Sequence, residues 1–304
     1  MNSRNTELFS RIKELKEKRH AVILAHNYQI PEVQDIADFV GDSLELSQKA
    51  SLTGAAAIIF CGVHFMAETA KILSPRKTVV LPEREAGCPM AEMITVSELR
   101  QKKAELPGVP VVCYVNSSAA VKAESDICCT STNAVKVVSG LPGNEIIFIP
   151  DKYLGAWVAS QTDKNVHLWP GFCPTHARIR AEDIQARRHA FPEAKVVVHP
   201  ECRPEVAALA DAVLSTSGMI RYASRSGIRS LIVGTEIGVL HRMKLENPGK
   251  EFIPATERAV CPNMKLTTVE KVLWALQDMA PKVEVPENIR LGALSAVRRM
   301  LETI

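Results

Sequence analysis

Three stretches decide the fold: AVILAHNY (21–28), VVCYVNSS (111–118) and VVVHPECR (196–203). Each is an apolar run rich in β-branched residues that ends in polar, chemically versatile side chains. Aligned, they put His26, Tyr114 and His199 in register, at offsets of 88 and then 85 residues. The same two offsets relate Asp38, Asp126 and Asp211, then Ser43, Ser131 and Thr216. They recur in the next apolar runs, which align Phe60, Phe148 and Val233. Four matches at common offsets mark an internal repeat. The units also close alike. LPEREAGCPM (81–90), LWPGFCPTH (168–176) and ATERAVCPNM (255–264) each carry a Cys-Pro dipeptide, at Cys88, Cys173 and Cys261. The closing offsets are 85 and 88, so the middle unit is three residues shorter between Phe148 and Cys173.

Three homologous modules follow, 1–94, 95–179 and 180–266, with a helical tail over 267–304. Within the second, SELRQKKAEL reads as a helix and VPVVCYV as a buried strand. SSAAVKAE is a short helix, DICCT a strand, NAVKVVSG a helix, EIIFIP a strand, YLGAWVASQ a helix and NVHLW a last strand. Short β-rich runs alternating with helices predict an α/β protein of three αβα modules, each with a small parallel sheet covered on both faces. Three modules of one shape pack around a pseudo-threefold centre. Ligands of such sheets sit beyond the carboxyl ends of the strands, where the HNY, YVNS and HPE segments fall. In the tail, TTVEKVLWALQDM and PENIRLGALSAVRRMLETI read as amphipathic helices, the first opened by a capping box of Thr267 and Glu270.

Composition narrows the function. Of 304 residues, 46% are hydrophobic and 23% charged, an ordinary globular balance. A net charge of +3, without basic blocks, argues against bulk nucleic acid as a partner. The longest apolar run, Ala55 to Val63, is about half of what spans a bilayer. The N-terminus lacks a signal-peptide core, so a soluble, cytoplasmic protein with no membrane partner is expected. None of the eight cysteines forms a CxxC pair, and they are expected as thiols or ligands rather than disulfides.

One matched cysteine per module suggests a shared metal site on Cys88, Cys173 and Cys261, suited to iron–sulfur or zinc. A proline after each would place the sulfur at a helix cap, which favours the thiolate. Three ligands without a visible fourth suggest an open metal position for a substrate oxygen. The other cysteines, among them Cys113, Cys128 and Cys129, are expected to be buried. Ser43, Ser131 and Thr216 are expected to cap helices and present hydroxyls and amides to an anion. His199 and Glu201 form an acid/base candidate pair, with Tyr28, Tyr114, Asn116 and His26 as further donors. The chemistry these types support is Lewis-acid dehydration or condensation of small oxygen-rich anions.

Three α/β modules giving one cysteine each resemble quinolinate synthase, the hydroxymethylbutenyl diphosphate reductase of isoprenoid synthesis and the radical enzyme that starts diphthamide formation. The motifs choose the first. LAHNYQIPEVQDIADFVGDSLELS (24–47), YVNSSAAVKAESDICCTSTNA (114–134), VVHPEC (197–202), STSGM (215–219), VGTEIGVLHRM (233–243) and AVCPNMK (259–265) are similar to the quinolinate synthase family nearly end to end. The resemblance implies a [4Fe–4S] cluster on Cys88, Cys173 and Cys261. It implies condensation of iminoaspartate (iminosuccinate) with dihydroxyacetone phosphate to quinolinate, phosphate and water, on the route to NAD. The first substrate would come from an aspartate oxidase or dehydrogenase. Substrate-binding positions carry over to His26, Ser43, Tyr114, Asn116, Ser131, His199, Glu201 and Thr216, and acid/base roles to Glu201, His199 and Tyr28. Some members have extra cysteines near the last ligand; here Cys261-Pro262-Asn263-Met264 has none, so that redox regulation is not expected. The competing classes are a cluster-bearing sensor without turnover, a dehydratase or reductase of another small anion, and a binding protein of periplasmic type.

Overall fold

The computed structural model describes residues 3–303. Each unit runs helix–strand four times over. The first has α1 (Ser3–Lys18), β1 (Ala21–His26), α2 (Pro31–Ile36), β2 (Phe39–Gly41), α3 (Ser43–Leu52), β3 (Ala57–Cys61), α4 (His64–Leu73) and β4 (Thr78–Val80). The second has α5 (Val96–Glu105), β5 (Val111–Tyr114), α6 (Ala119–Ala123), β6 (Ile127–Cys129), α7 (Ala134–Gly140), β7 (Glu145–Ile149), α8 (Lys152–Ser160) and β8 (Asn165–Leu168). The third has α9 (Ala181–Ala190), β9 (Lys195–Val198), α10 (Pro204–Ala207), β10 (Ala212–Val213), α11 (Thr216–Ala223), β11 (Ser230–Gly234), α12 (Val239–Glu246) and β12 (Glu251–Pro254). The helices α13 (Val269–Asp278) and α14 (Glu287–Glu302) follow.

The strands make three all-parallel sheets of one order, β2-β1-β3-β4, β6-β5-β7-β8 and β10-β9-β11-β12. The register repeats to the residue. Leu24 lies opposite Phe39 and Phe60, Val112 opposite Ile127 and Phe148, and Val197 opposite Ala212 and Val233. The order reverses at the first strand of each sheet, which opens a crevice at the carboxyl ends. Fourth-strand pairing also locates the shortening of the middle unit. Ile58 pairs with Val79, Ile146 with Val166 and Leu231 with Phe252, so one residue is missing before β8 and two before Cys173.

The repeated aspartates are structural. Asp38 Oδ2 accepts the Ile23 amide at 2.8 Å while the Asp38 amide bonds the Ile23 carbonyl at 2.9 Å. Asp126 does the same to Val111, and Asp211 to Val196. Each side chain completes a ladder that the short second strand would leave open, satisfying a buried amide that otherwise costs free energy.

Helix starts follow local chemistry. Thr95 and Glu98 form a capping box for α5, and Asp151 accepts the Tyr153 and Leu154 amides to start α8. Two expectations shift by one residue. Asp42 caps α3 and Ser215 caps α11, in place of Ser43 and Thr216, while α7 starts only at Ala134, after Asn133, so Ser131 does not cap a helix and Thr130 closes the turn before it. Asp42 accepts the Leu44 and Glu45 amides at 3.0 Å, Thr130 Oγ1 the Thr132 amide at 3.2 Å and Ser215 Oγ the Gly218 amide at 3.2 Å. The expected Thr267–Glu270 box is likewise displaced: Thr268 caps α13 by accepting the Lys271 amide, and Thr267 is buried. In both cases two adjacent residues able to cap compete for one position, and the earlier or the later of them takes it.

The tail helices pack on the units rather than standing apart. Val272, Leu273 and Leu276 of α13 join Ile12 and Ile23 in the core of the first sheet's outer face. Helix α14 lies against α6, α4 and β6, burying Ala293, Ala296, Val297 and Met300. No helix among the described residues is long and apolar enough to cross a membrane.

Candidate active site

Where the three crevices meet there is a cavity of about 200 Å³. Its lining repeats by threes: His26, Tyr114 and His199 from the ends of the first strands, Ser43, Ser131 and Thr216, and Cys88, Cys173 and Cys261. Tyr28, Asn116 and Glu201 line it as well, so every residue proposed from the sequence to ligate metal, bind substrate or move protons lines one cavity.

The capping residues explain how the hydroxyls get there. With the cap one position earlier, Ser43 and Thr216 stand at the first residues of α3 and α11, and their hydroxyls are not consumed in closing the helix. Thr216 Oγ1 accepts Asn27 Nδ2 at 3.0 Å and keeps its proton for donation; Ser131 Oγ lies 3.1 Å from His199 Nε2. Behind them the caps are joined. Thr132 Oγ1 lies 2.8 Å from Asp42 Oδ2 and 2.9 Å from Ser215 Oγ, a single hydroxyl touching the caps of the other two units.

The cysteines depart from expectation in their local fold. No α-helix follows a Cys-Pro pair. Cys173 and Cys261 lead into single 3₁₀ turns, His176–Arg178 and Asn263–Lys265, and Cys88 into a plain turn. These turns still direct amides at sulfur, from Met90 and Ala91 to Cys88, from His176 to Cys173, and from Asn263 and Met264 to Cys261. One turn carries little dipole, so burial dominates. It pushes all three thiols up, Cys88 to about 12. Gly171 lets the Cys173 loop approach closely, since a Cβ there would lie 2.5 Å from the Pro150 carbonyl oxygen. Cys113, Cys128 and Cys129 are fully buried, as expected.

Polar groups form one chain across the cavity. Tyr28 Oη lies 2.6 Å from Thr235 Oγ1, which is 2.8 Å from His176 Nε2. His176 Nδ1 reaches Glu201 Oε2 at 2.6 Å, and Asn116 Nδ2 approaches Glu201 Oε1 at 3.5 Å. The His176 and His199 rings stack at 4.7 Å. Burial would raise the Glu201 carboxyl, but His176, His199 and the Tyr114 phenol outweigh it and hold the group at about 2. Burial lowers His26 to about 4 and His199 to about 3, so both are neutral near pH 7. It raises Tyr28 and Tyr114, keeping their phenols protonated. The site thus holds a charged carboxylate together with neutral His26 and His199 and protonated phenols. Asn116 Oδ1 is buried without a protein partner, an acceptor left for a ligand.

His176 and Thr235 went unflagged in the sequence. Both stood inside quoted motifs, His176 three positions after Cys173. The repeat could not pick them out, because the equivalent positions hold Ala91 and Met264, and Gly62 and Pro150.

The chain is similar in sequence to proteins of one family. A family model described as quinolinate synthetase A protein matches residues 10–302. A quinolinate synthase of Dehalococcoides mccartyi strain 195 is 62% identical over 298 residues, covering 98% of this chain and 99% of the relative. One from Geobacter metallireducens is 59% identical, covering 95% of each chain, and one from Methanosarcina barkeri 56%, covering 97% of each.

Proposed function

Because the chain belongs to the quinolinate synthase family, we propose that it condenses iminoaspartate with dihydroxyacetone phosphate to give quinolinate, phosphate and water. The observation that carries the reading is the convergence of three equivalent cysteines and three equivalent hydroxyls on the cavity that holds the Glu201 chain.

The cysteines fit a cluster better than a single ion. One zinc at about 2.3 Å from each sulfur requires sulfurs closer than about 4.6 Å. Among the described residues, the three-ligand group whose donor atoms all lie within 4.8 Å is Cys173, His176 and Glu201; the three cysteines do not meet that limit. Wider spacing, with amides aimed at each sulfur, suits a polynuclear iron–sulfur centre. Cys88, Cys173 and Cys261 would hold a [4Fe–4S] cluster, which when bound supplies an iron free of cysteine as a Lewis acid.

The chain's own groups do the rest. Ser43, Ser131 and Thr216 donate to substrate carboxylate or phosphate oxygens. His26 and Tyr114 hold the substrate from the first-strand ends, and Asn116 Oδ1 accepts from its nitrogen. Glu201, ionised, takes protons from carbon or nitrogen during isomerisation, oriented by His176 and His199. Tyr28, protonated, returns a proton to departing oxygen and is recharged through Thr235. The enzyme works in the cytoplasm, where its thiols stay reduced, and an aspartate oxidase or dehydrogenase supplies the imine.

Iron and sulfide analysis on anaerobically purified protein, followed by assay with both substrates, tests this. About four of each per chain and quinolinate formation are expected. Cys88, Cys173 or Cys261 to Ala should lose cluster and activity, whereas Cys113→Ala or Cys128→Ala should keep both. Absence of iron after reconstitution would overturn the reading.

A further inference from the structure

The group that does come within single-ion reach has chemistry of its own. Cys173, His176 and Glu201 offer one sulfur, one nitrogen and one oxygen, all within 4.8 Å of one another. His176 Nδ1 lies 3.2 Å from Cys173 Sγ and 2.6 Å from Glu201 Oε2. Bonds of about 2.0–2.3 Å in a tetrahedral site place ligand atoms about 3.3–3.7 Å apart, so the trio needs adjustments of about 1.5 Å or less.

The supporting contacts are those a metal ligand needs. With Nδ1 on a metal, His176 carries its proton on Nε2, which lies 2.8 Å from Thr235 Oγ1 as acceptor. Glu201 Oε1 stays near Asn116 Nδ2 and is free to fix the carboxylate's orientation. His199 does not complete the set, because its Nδ1 already accepts the Glu201 amide at 3.3 Å. All three ligands line the cavity, which leaves the fourth position open. Three mixed protein ligands with an open fourth is the pattern of a mononuclear zinc-type site.

We propose that Cys173, His176 and Glu201 form a second, mononuclear site for a divalent transition metal of the zinc class, which competes with the cluster because the two share Cys173. The site itself stands on these three side chains; only the competition rests on the cluster reading above. Metal-free protein that meets zinc first would be held from taking up iron and sulfide.

Anaerobic titration of metal-free protein with cobalt(II) tests the site. One equivalent should bind in the wild type, with a thiolate-to-cobalt charge-transfer band and the visible bands of four-coordination, and zinc should displace it. Cys88→Ala and Cys261→Ala should retain both features. Cys173→Ala should lose the charge-transfer band. His176→Gln and the isosteric Glu201→Gln should each weaken binding by about a hundredfold, with circular dichroism confirming their fold. Zinc added before reconstitution should depress iron uptake in the wild type but not in His176→Gln, which keeps all three cysteines. Loss of the cobalt spectrum in Cys88→Ala or Cys261→Ala would place the ion on the cysteines and overturn the proposal, as would unchanged affinity in both His176→Gln and Glu201→Gln. Failure to build a cluster in zinc-free protein would instead overturn the cluster reading and leave the cobalt result standing.

Discussion

At the scale of the residue, Glu201 shows how context sets chemistry. A carboxylate 3% exposed ought to be neutral, yet His176 at 2.6 Å and the surrounding donors keep it charged. Glu201→Gln keeps the shape and removes the base. Product formation should fall by about 10² or more while the iron–sulfur spectrum of the reconstituted protein is retained, and near-normal turnover would reassign the base. His26 gives a stability prediction. Its folded value of about 4 lies below the unfolded 6.5, so as pH falls the unfolded chain takes the proton first. Stability therefore drops as pH falls below about 6.5, by up to about 1.4 kcal/mol per unit from this group. Urea unfolding of His26→Gln should show a slope flatter by one proton between about pH 6.5 and 4.5. Residues present in all three units were readable from sequence because comparison among units exposed them. His176 and Thr235 were not, because each belongs to a single unit and its partners come from elsewhere in the chain.

At the scale of the element, the alternation of helix and strand was legible throughout the middle unit, because buried strands of β-branched residues and helices of helix formers have distinct periods. Ends were less so. Asp42 and Ser215 each precede another residue able to cap, and the choice depends on tertiary approach that no local pattern encodes. The repeated aspartates were visible as a motif but not as a device, since their partners are strand amides 15 residues away. Asp126→Ala leaves the Val111 amide unpaired. It should cost about 1–3 kcal/mol in denaturant unfolding, while activity per folded molecule stays close to wild type. A full loss of activity in folded protein would mean that the ladder also shapes the cavity.

At the scale of the whole molecule, polar contacts join the units around the cavity, Asn27 with Thr216, His199 with Ser131 and Ser217 with Glu45 among them. Thr132 touches caps in both other units, so Thr132→Val removes two contacts at once. We expect about 1–3 kcal/mol of lost stability and a transition broader than wild type, read by circular dichroism during thermal unfolding. An unchanged transition would show that the remaining contacts between the units suffice without Thr132. The common centre itself could be inferred from sequence, as three matched cysteines need a meeting point. The placing of α13 and α14 could not, since an amphipathic helix does not say which surface it covers.

The strand register repeats to the residue in the three sheets, while the side chains at matching points do not: His, Tyr and His at one level, Ser, Ser and Thr at another. A frame of near-threefold form would by itself offer an incoming molecule three interchangeable ways to lie. The mismatched fittings make those ways unequal, so a flat, lopsided guest has one resting pose rather than three. The inequality of the three directions comes from a few substituted tips, and the walls could stay alike without loss of discrimination.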